Sequence, residues 1–189
     1  MRIKHLKYYP LLVFIIFTIS GFGQDKKAQI PKSRILFIFD GSQSMEGYWE
    51  EERKVKIARD YLIQLVDSLD GIGNVEMGLR VYGHQFEVPP QRCDDSKLEV
   101  PFSENNSDQI KHTLRYIRPK GTTPIAYSLE QAEKDFPDCK DCRNIIILIT
   151  DGKEACEGDP CVVSKKLQKK GIVLKPFIIG IGLDPNFRE

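Results

Sequence analysis

Two uninterrupted apolar runs, RILFIF at 34–39 and RNIIILIT at 143–150, are the strongest signals along the chain. A strand with one wet face alternates apolar and polar residues, whereas an unbroken run suits a strand covered on both faces of a parallel sheet. Between these runs the periods change. Val55, Ala58, Leu62, Leu65 and Leu69 recur at spacings of three and four, which predicts a helix over 51–71 closed by Gly71. VEMGLRVYG (75–83) and KLEVPF (97–102) alternate as strands, and Pro101 assigns the second to a sheet edge because proline cannot donate to a central ladder. SDQIKHTLRYI predicts a helix with Ser107 as N-cap, and TTPIAYSLEQAEKDF predicts another with Pro124 at its first position. CVVSKKLQKK reads as a last helix and FIIGIG as a last strand.

Strands alternating with helices predict a parallel α/β sheet, and such sheets bind ligands beyond the carboxyl ends of their strands, where the strand order reverses. Both buried runs end in Asp-Gly, at Asp40 and Asp151. If the two strands are neighbours, the carboxylates meet at one edge. In FDGSQSMEG, Ser42 and Ser44 lie two residues apart and point the same way in an extended loop. The loop KGTTPI adds Thr122 and Thr123 ahead of a helix that starts on that edge. An oxygen set of this kind suits Mg²⁺, which takes one or two carboxylates and keeps several waters. Taken singly, each Asp-Gly reads as a turn. A phosphatase of the haloacid dehalogenase type needs a second acid where this chain has Ser42, and a serine hydrolase needs a GxSxG elbow and a partnered histidine.

Together, DGSQS, GTTP and TDG make the chain resemble a von Willebrand factor type A domain with a metal-ion-dependent adhesion site. The segments YGH, RCDDSKLEVP and TDGKEACEGDPC resemble bacterial extracytoplasmic members. The resemblance implies a Rossmann-like three-layer sandwich, with a mostly parallel sheet, one antiparallel edge strand and helices on both faces. It also implies a metal held through Ser42, Ser44 and Thr123, with Asp40 and Asp151 close by and often acting through water. Thr123 is preferred to Thr122 because family members commonly carry threonine immediately before the proline. The metal expected is Mg²⁺, with Mn²⁺ or Ca²⁺ as substitutes. Gln43 stands where glycine is usual, at a spacer position. The domain is expected to run from 34 to 189, without the family's last helix and strand.

At its N-terminus the chain places Arg2, Lys4 and Lys7 before the apolar run at 11–19, with Gly21 and Gly23 after it. This is the plan of a secretory signal peptide over 1–23, too short for a spanning helix of roughly 20 apolar residues. The polar residues 24–33 then read as a linker. Loss of 1–23 removes three basic residues and no acid, leaving 25 Lys and Arg against 27 Asp and Glu, a formal charge of −2. That charge gives no footprint for nucleic acid. In an oxidising compartment the five cysteines should form disulfides with one left over. Cys139 with Cys142 is expected, and Cys156 with Cys161 is preferred because they share a loop. Cys93 paired to either of the latter two is the rival.

The function expected is that of an exported binding domain with no catalytic residue, whose metal captures an Asp or Glu of a partner protein without membrane insertion. A metal-dependent hydrolase, or a structural module with an empty metal site, are the other readings. Tyr48 and Trp49 are either interface anchors or a cover for the first helix. His84 is assigned no role, and Lys165, Lys166, Lys169 and Lys170 read as a solvated face.

Overall fold

The structure, a computed structural model, describes residues 31–178. The expected signal segment, most of the linker, and the C-terminal region after 178 lie outside the described residues. In chain order the elements are β1 (Ser33–Asp40), a 3₁₀ turn (Gln43–Glu46), β2 (Tyr48–Trp49), β3 (Glu52–Arg53), α1 (Lys54–Leu69), β4 (Val75–Tyr82), β5 (Ser96–Ser103), α2 (Ser107–Tyr116), α3 (Ile125–Asp135), β6 (Arg143–Thr150), α4 (Pro160–Lys169) and β7 (Ile172–Ile178). Among these no helix is long and apolar enough to cross a membrane.

Five strands form one sheet in the order β5-β4-β1-β6-β7. β1 pairs in parallel with β4 and β6, and β6 pairs in parallel with β7. β5 is antiparallel to β4 at the edge that Pro101 requires. The sheet is therefore mostly parallel, and β1 is its centre. Alternate residues of β1 supply two cores. Ile35, Phe37 and Phe39 pack with Val55, Ala58, Leu62 and Val66 of α1 and with Ile110 and Leu114 of α2. Leu36 and Ile38 pack with Leu129 and Ala132 of α3 and with Val163 and Leu167 of α4. The unbroken apolar run follows from these two covers, since each face of β1 meets its own layer of helices.

Several boundaries move for physical reasons. Residues 48–53 form the β2–β3 hairpin, with Glu50 at φ 55°, so α1 starts at Lys54 and not at Glu51. The stripe buried by α1 runs through Val66, while Leu65 and Leu69 only flank it. Ser107 is helical and Asn106 precedes it, because the Asn106 side chain donates to the carbonyls of Met77 (2.7 Å) and Pro101 (2.9 Å) instead of capping α2. Pro124 stands at the N-cap position just outside α3 and not at its first helical position, and it makes no side-chain cap hydrogen bond. α4 begins one residue early, at Pro160, with the Asp159 carboxylate accepting from the amides of Cys161 and Val162. β7 starts at Ile172, ahead of the expected FIIGIG, and residues 179–182 of that stretch lie outside the described residues.

Candidate metal centre

Chain order places the site. From β1 the chain crosses to β4 on one side, then to β6 on the other, so the loops leaving β1 and β6 part at the carboxyl ends of adjacent strands. The loop after β1 is fixed to its neighbours by backbone. The Gln43 amide donates to the Gly121 carbonyl at 2.9 Å, the Gly41 amide to Tyr82, and the Lys120 amide to Gly41. This contact is so close that Gly83, at φ +68°, has no room for a Cβ, which would lie 2.5 Å from the Thr122 carbonyl and 2.8 Å from the Ser42 amide. Gly83→Ala should therefore cost about 2 to 4 kcal/mol, from left-handed strain and overpacking together. Gly71→Ala is the control, with φ +73° but open space around it, and should cost about 1 kcal/mol. Urea melts of the two variants that gave equal midpoints would refute this account of the Gly83 contact.

The expected acids and serines converge. Asp40 is wholly buried and Ser42 nearly so, and they form the floor, while Ser44 is exposed at the mouth. The Ser42 amide donates to Asp40 Oδ1 at 2.8 Å. Thr150 Oγ1 donates to Asp40 Oδ2 at 2.7 Å and accepts from the Tyr82 hydroxyl at 3.0 Å. Ser42 Oγ and Ser44 Oγ lie 3.0 Å apart, and Ser44 Oγ donates to Asp151 Oδ1 at 2.8 Å. Thr123 is buried, and its methyl and the Ser44 hydroxyl both border Gly152. The Thr122 hydroxyl turns away, accepting from the Arg92 amide at 3.4 Å. That orientation favours Thr123 as the member of the pair nearer the site.

Burial pushes the Asp40 carboxyl above the usual range, opposed by its hydrogen bonds from Ser42 and Thr150, and the nearby charge of Asp151 adds to the rise. A folded-state value raised in this way lowers the stability of the metal-free fold as pH climbs from the ordinary carboxylate value through the raised one. A cation would offset that cost. Burial also holds the Tyr82 phenol well above its ordinary value, so it remains a donor to Thr150. The protein already places one positive charge here, since Lys54 Nζ donates to Asp151 Oδ2 at 2.8 Å. Among the described residues no group of three or more His, Cys, Asp or Glu side chains is arranged so that it could hold a metal ion. Two carboxylates with serine hydroxyls make a hard, oxygen-only donor set, which fits Mg²⁺ in chemistry.

The loop carrying Asp151 is pinned at several points. Cys93 and Cys156 form a disulfide, and Cys161 is free and exposed. The preferred Cys156–Cys161 pair is thus wrong and its rival is right, because Cys161 is drawn into the first turn of α4 while the loops after β4 and β6 meet over β1. Cys139 pairs with Cys142 as expected. Gln91 Nε2 donates to the Ala155 carbonyl at 2.6 Å. Glu154 accepts from the amides of Ala126 (2.6 Å) and Cys156 (2.9 Å), supplying to the start of α3 the cap that Pro124 cannot. Sequence reasoning missed Glu154, Thr150, Tyr82 and Lys54. The text TDGKE contained the first two signals, a hydroxyl before the acid and a carboxylate three residues after it, but Lys54 carries no local mark.

The remaining candidates fall on either side of the site. His84 Nε2 lies 2.8 Å from Glu99 Oε1, an ordinary structural contact. Tyr48 (65% exposed) and Trp49 (42% exposed) stand out on the β2–β3 hairpin rather than covering α1.

The uncharacterized protein YwmD of Bacillus subtilis (strain 168) is 29% identical over 174 residues, covering 89% of this chain and 75% of YwmD. The crystal structure of BatB, a conserved hypothetical protein from Bacteroides thetaiotaomicron, shares the fold with a TM-score of 0.63 at 23% identity, over 76% of this chain and 65% of that one. Proximal thread matrix protein 1 from the mussel byssus, solved with a zinc-occupied MIDAS motif, shares it with a TM-score of 0.58 at 20% identity, over 77% of this chain and 37% of that one. The family model of the von Willebrand factor type A domain matches residues 35–187, so with its central β1, its mostly parallel sheet and its paired helical layers this chain belongs to that family.

Proposed function

We propose that this protein is an exported, metal-dependent protein-binding domain. Ser42, Ser44 and Thr123 hold Mg²⁺ by their hydroxyls, Asp40 and Asp151 support it, and the ion takes a carboxylate from an Asp or Glu of the partner. The observation that carries this reading is the chain of contacts Asp40, Ser42, Ser44, Asp151, which joins two strand ends 110 residues apart into one oxygen cluster with an exposed serine. When bound, the ion would supply a Lewis-acidic anchor whose charge the neutral hydroxyls leave largely uncompensated. The residues do the rest: Thr150 and Tyr82 hold Asp40 in place, and Ser44 presents the open side. The family's general association with protein interactions agrees with this reading, and the zinc-occupied motif of the byssus protein offers a precedent for a metal at this position of the fold. Export is supported by the N-terminal pattern and by two disulfides.

The test is capture of partner from the parent cells on immobilised protein with Mg²⁺, then elution by chelator; retention through chelator would refute the metal-bridged mode. Hydrolysis of ester or phosphate substrates that Asp40→Ala abolished would select the hydrolase reading. N-terminal sequencing of secreted material should begin at Gln24. One variant probes the site without a partner. Lys54→Met removes the ammonium that contests Asp151, so Mg²⁺ should bind about tenfold more tightly by calorimetry, a difference near 1.4 kcal/mol, while the metal-free fold melts earlier. Weaker Mg²⁺ binding by this variant would mean that Lys54 supports the site instead of competing for it.

A further inference from the structure

Beside the metal loop lies an open cleft of about 640 Å³ whose charge is one-sided. One wall carries Arg53, Lys56 and Arg59 at the start of α1, and the other carries Arg115, Arg118 and Lys120 at and after the end of α2. Glu46 and Glu87 are the acids of the lining, so six positive charges face two negative ones. Internal pairing takes up two of the six basic residues. Arg53 is paired with Glu46 at 2.8 Å, and Lys56 with Glu52 and Asp60. Among the described residues Arg115, Arg118 and the Lys120 side chain have no carboxylate partner, and Arg115 and Arg118 are exposed. Arg59 is the most constrained. Its Nη2 donates to the Ile117 carbonyl at 3.0 Å, and its Nε is buried with no acceptor. A buried donor without an acceptor is costly, so the Arg59 guanidinium at the cleft wall keeps unmet hydrogen-bonding capacity.

The cleft is carried by segments next in the chain to those of the metal centre, although Asp40, Ser42, Ser44, Thr123 and Asp151 do not line it. Glu46 follows Ser44 by two residues, and Lys120 precedes Gly121, whose carbonyl accepts from Gln43. The 3₁₀ turn and the 117–120 segment thus each carry cleft residues within two positions of a residue that fixes the metal loop. Five residues along α1 from Lys54 to Arg59 rise about 7.5 Å. An extended peptide covers that in about two residues, at roughly 3.3 Å each.

We propose that this cleft receives further acidic side chains of the partner segment whose carboxylate the metal centre takes, so that the ligand is a short run of Asp and Glu and not a single acid. The assignment of partner class rests on the metal-centre reading above. Guanidinium forks on both walls match carboxylates in pairs. Charge spread along two walls and interrupted by Glu46 and Glu87 suits acids spaced along a peptide better than the compact charge of a phosphate group. The metal fixes one residue of the ligand, and the cleft sets its register and raises the rate of encounter.

The experiment is fluorescence anisotropy of labelled hexaglutamate with the folded protein in Mg²⁺. Arg115→Glu with Arg118→Glu should raise the dissociation constant at least tenfold and flatten its dependence on NaCl, while the Mg²⁺-induced rise in melting temperature stays as in the unaltered protein. Because both residues are exposed, the retained Mg²⁺ response also verifies the fold. Unchanged peptide affinity in this variant would overturn the proposal whatever chelator does. Peptide binding that the charge reversal weakens but chelator leaves intact would uphold the cleft and refute the metal reading. Displacement of hexaglutamate by inorganic pyrophosphate at lower concentration than by unlabelled peptide would also overturn it, in favour of a phosphate ligand.

Discussion

Replacing Asp151 by alanine is expected to abolish both the stabilisation of this domain by Mg²⁺ and its capture of a partner, while leaving the metal-free fold standing. At a hundredfold excess over the dissociation constant, a ligand that binds only the folded state adds about 2.7 kcal/mol. For a domain of this size that is a rise in melting temperature of about 5 to 10 °C. Asp151 lies past the end of β6 and outside both apolar cores, so its loss leaves those cores intact although its own side chain is buried. It does free Lys54, whose side chain is largely buried, and leave the Ser44 hydroxyl without its acceptor, so the metal-free fold should also melt somewhat earlier. The gain from Mg²⁺ should shrink on acidification in the unaltered protein, since the raised Asp40 carboxyl takes a proton where an ordinary one would not, and a proton competes with the cation. A melt indifferent to Mg²⁺ in the unaltered protein, with partner binding that persists in chelator, would sink the adhesion-site reading while leaving the family assignment intact.

The second large effect belongs to the disulfide between Cys93 and Cys156. It closes a loop across a sequence separation of 63. In the chain-entropy account, cross-links over such a loop stabilise by about 4 kcal/mol. The double variant Cys93→Ser with Cys156→Ser should therefore melt on the order of 10 °C lower. Serine at both positions also prevents Cys161 from forming a new pair with the thiol left behind. The consequence reaches the site, because Cys156 shares its loop with Asp151 and Glu154, and Glu154 also caps α3 just after Thr123. Mg²⁺ should bind more weakly in this variant, although no ligand has been changed. Cys139→Ser with Cys142→Ser should cost much less, since that bond spans a separation of only three and lies at the opposite end of β6. Equal melting of the two double variants would refute the loop-length argument.

Burial on two faces makes a strand readable. β1 and β6 were legible at 34–39 and 143–150 because a central strand has no wet side and must be apolar at successive residues. The edge position of β5 was legible for the opposite reason, since Pro101 cannot serve a ladder on both sides. The meeting of Asp40, Ser42, Ser44 and Asp151 was legible too, because they follow the ends of adjacent buried strands and their order is fixed by local sequence. Tertiary structure decided what depends on which loops meet. Cys156 pairs with Cys93 and not with the expected Cys161 because β4 and β6 flank β1, a fact of strand order that local spacing does not encode. Lys54 reached Asp151 across 97 residues, and Arg59 came to face Arg118, because α1 and the segment after α2 pack on one side of the sheet. Periodicity reports which face of an element is buried, and so yields elements and their ends; charge pairs, cross-links and clefts are set by the crossovers between elements, where sequence separation carries no information about distance.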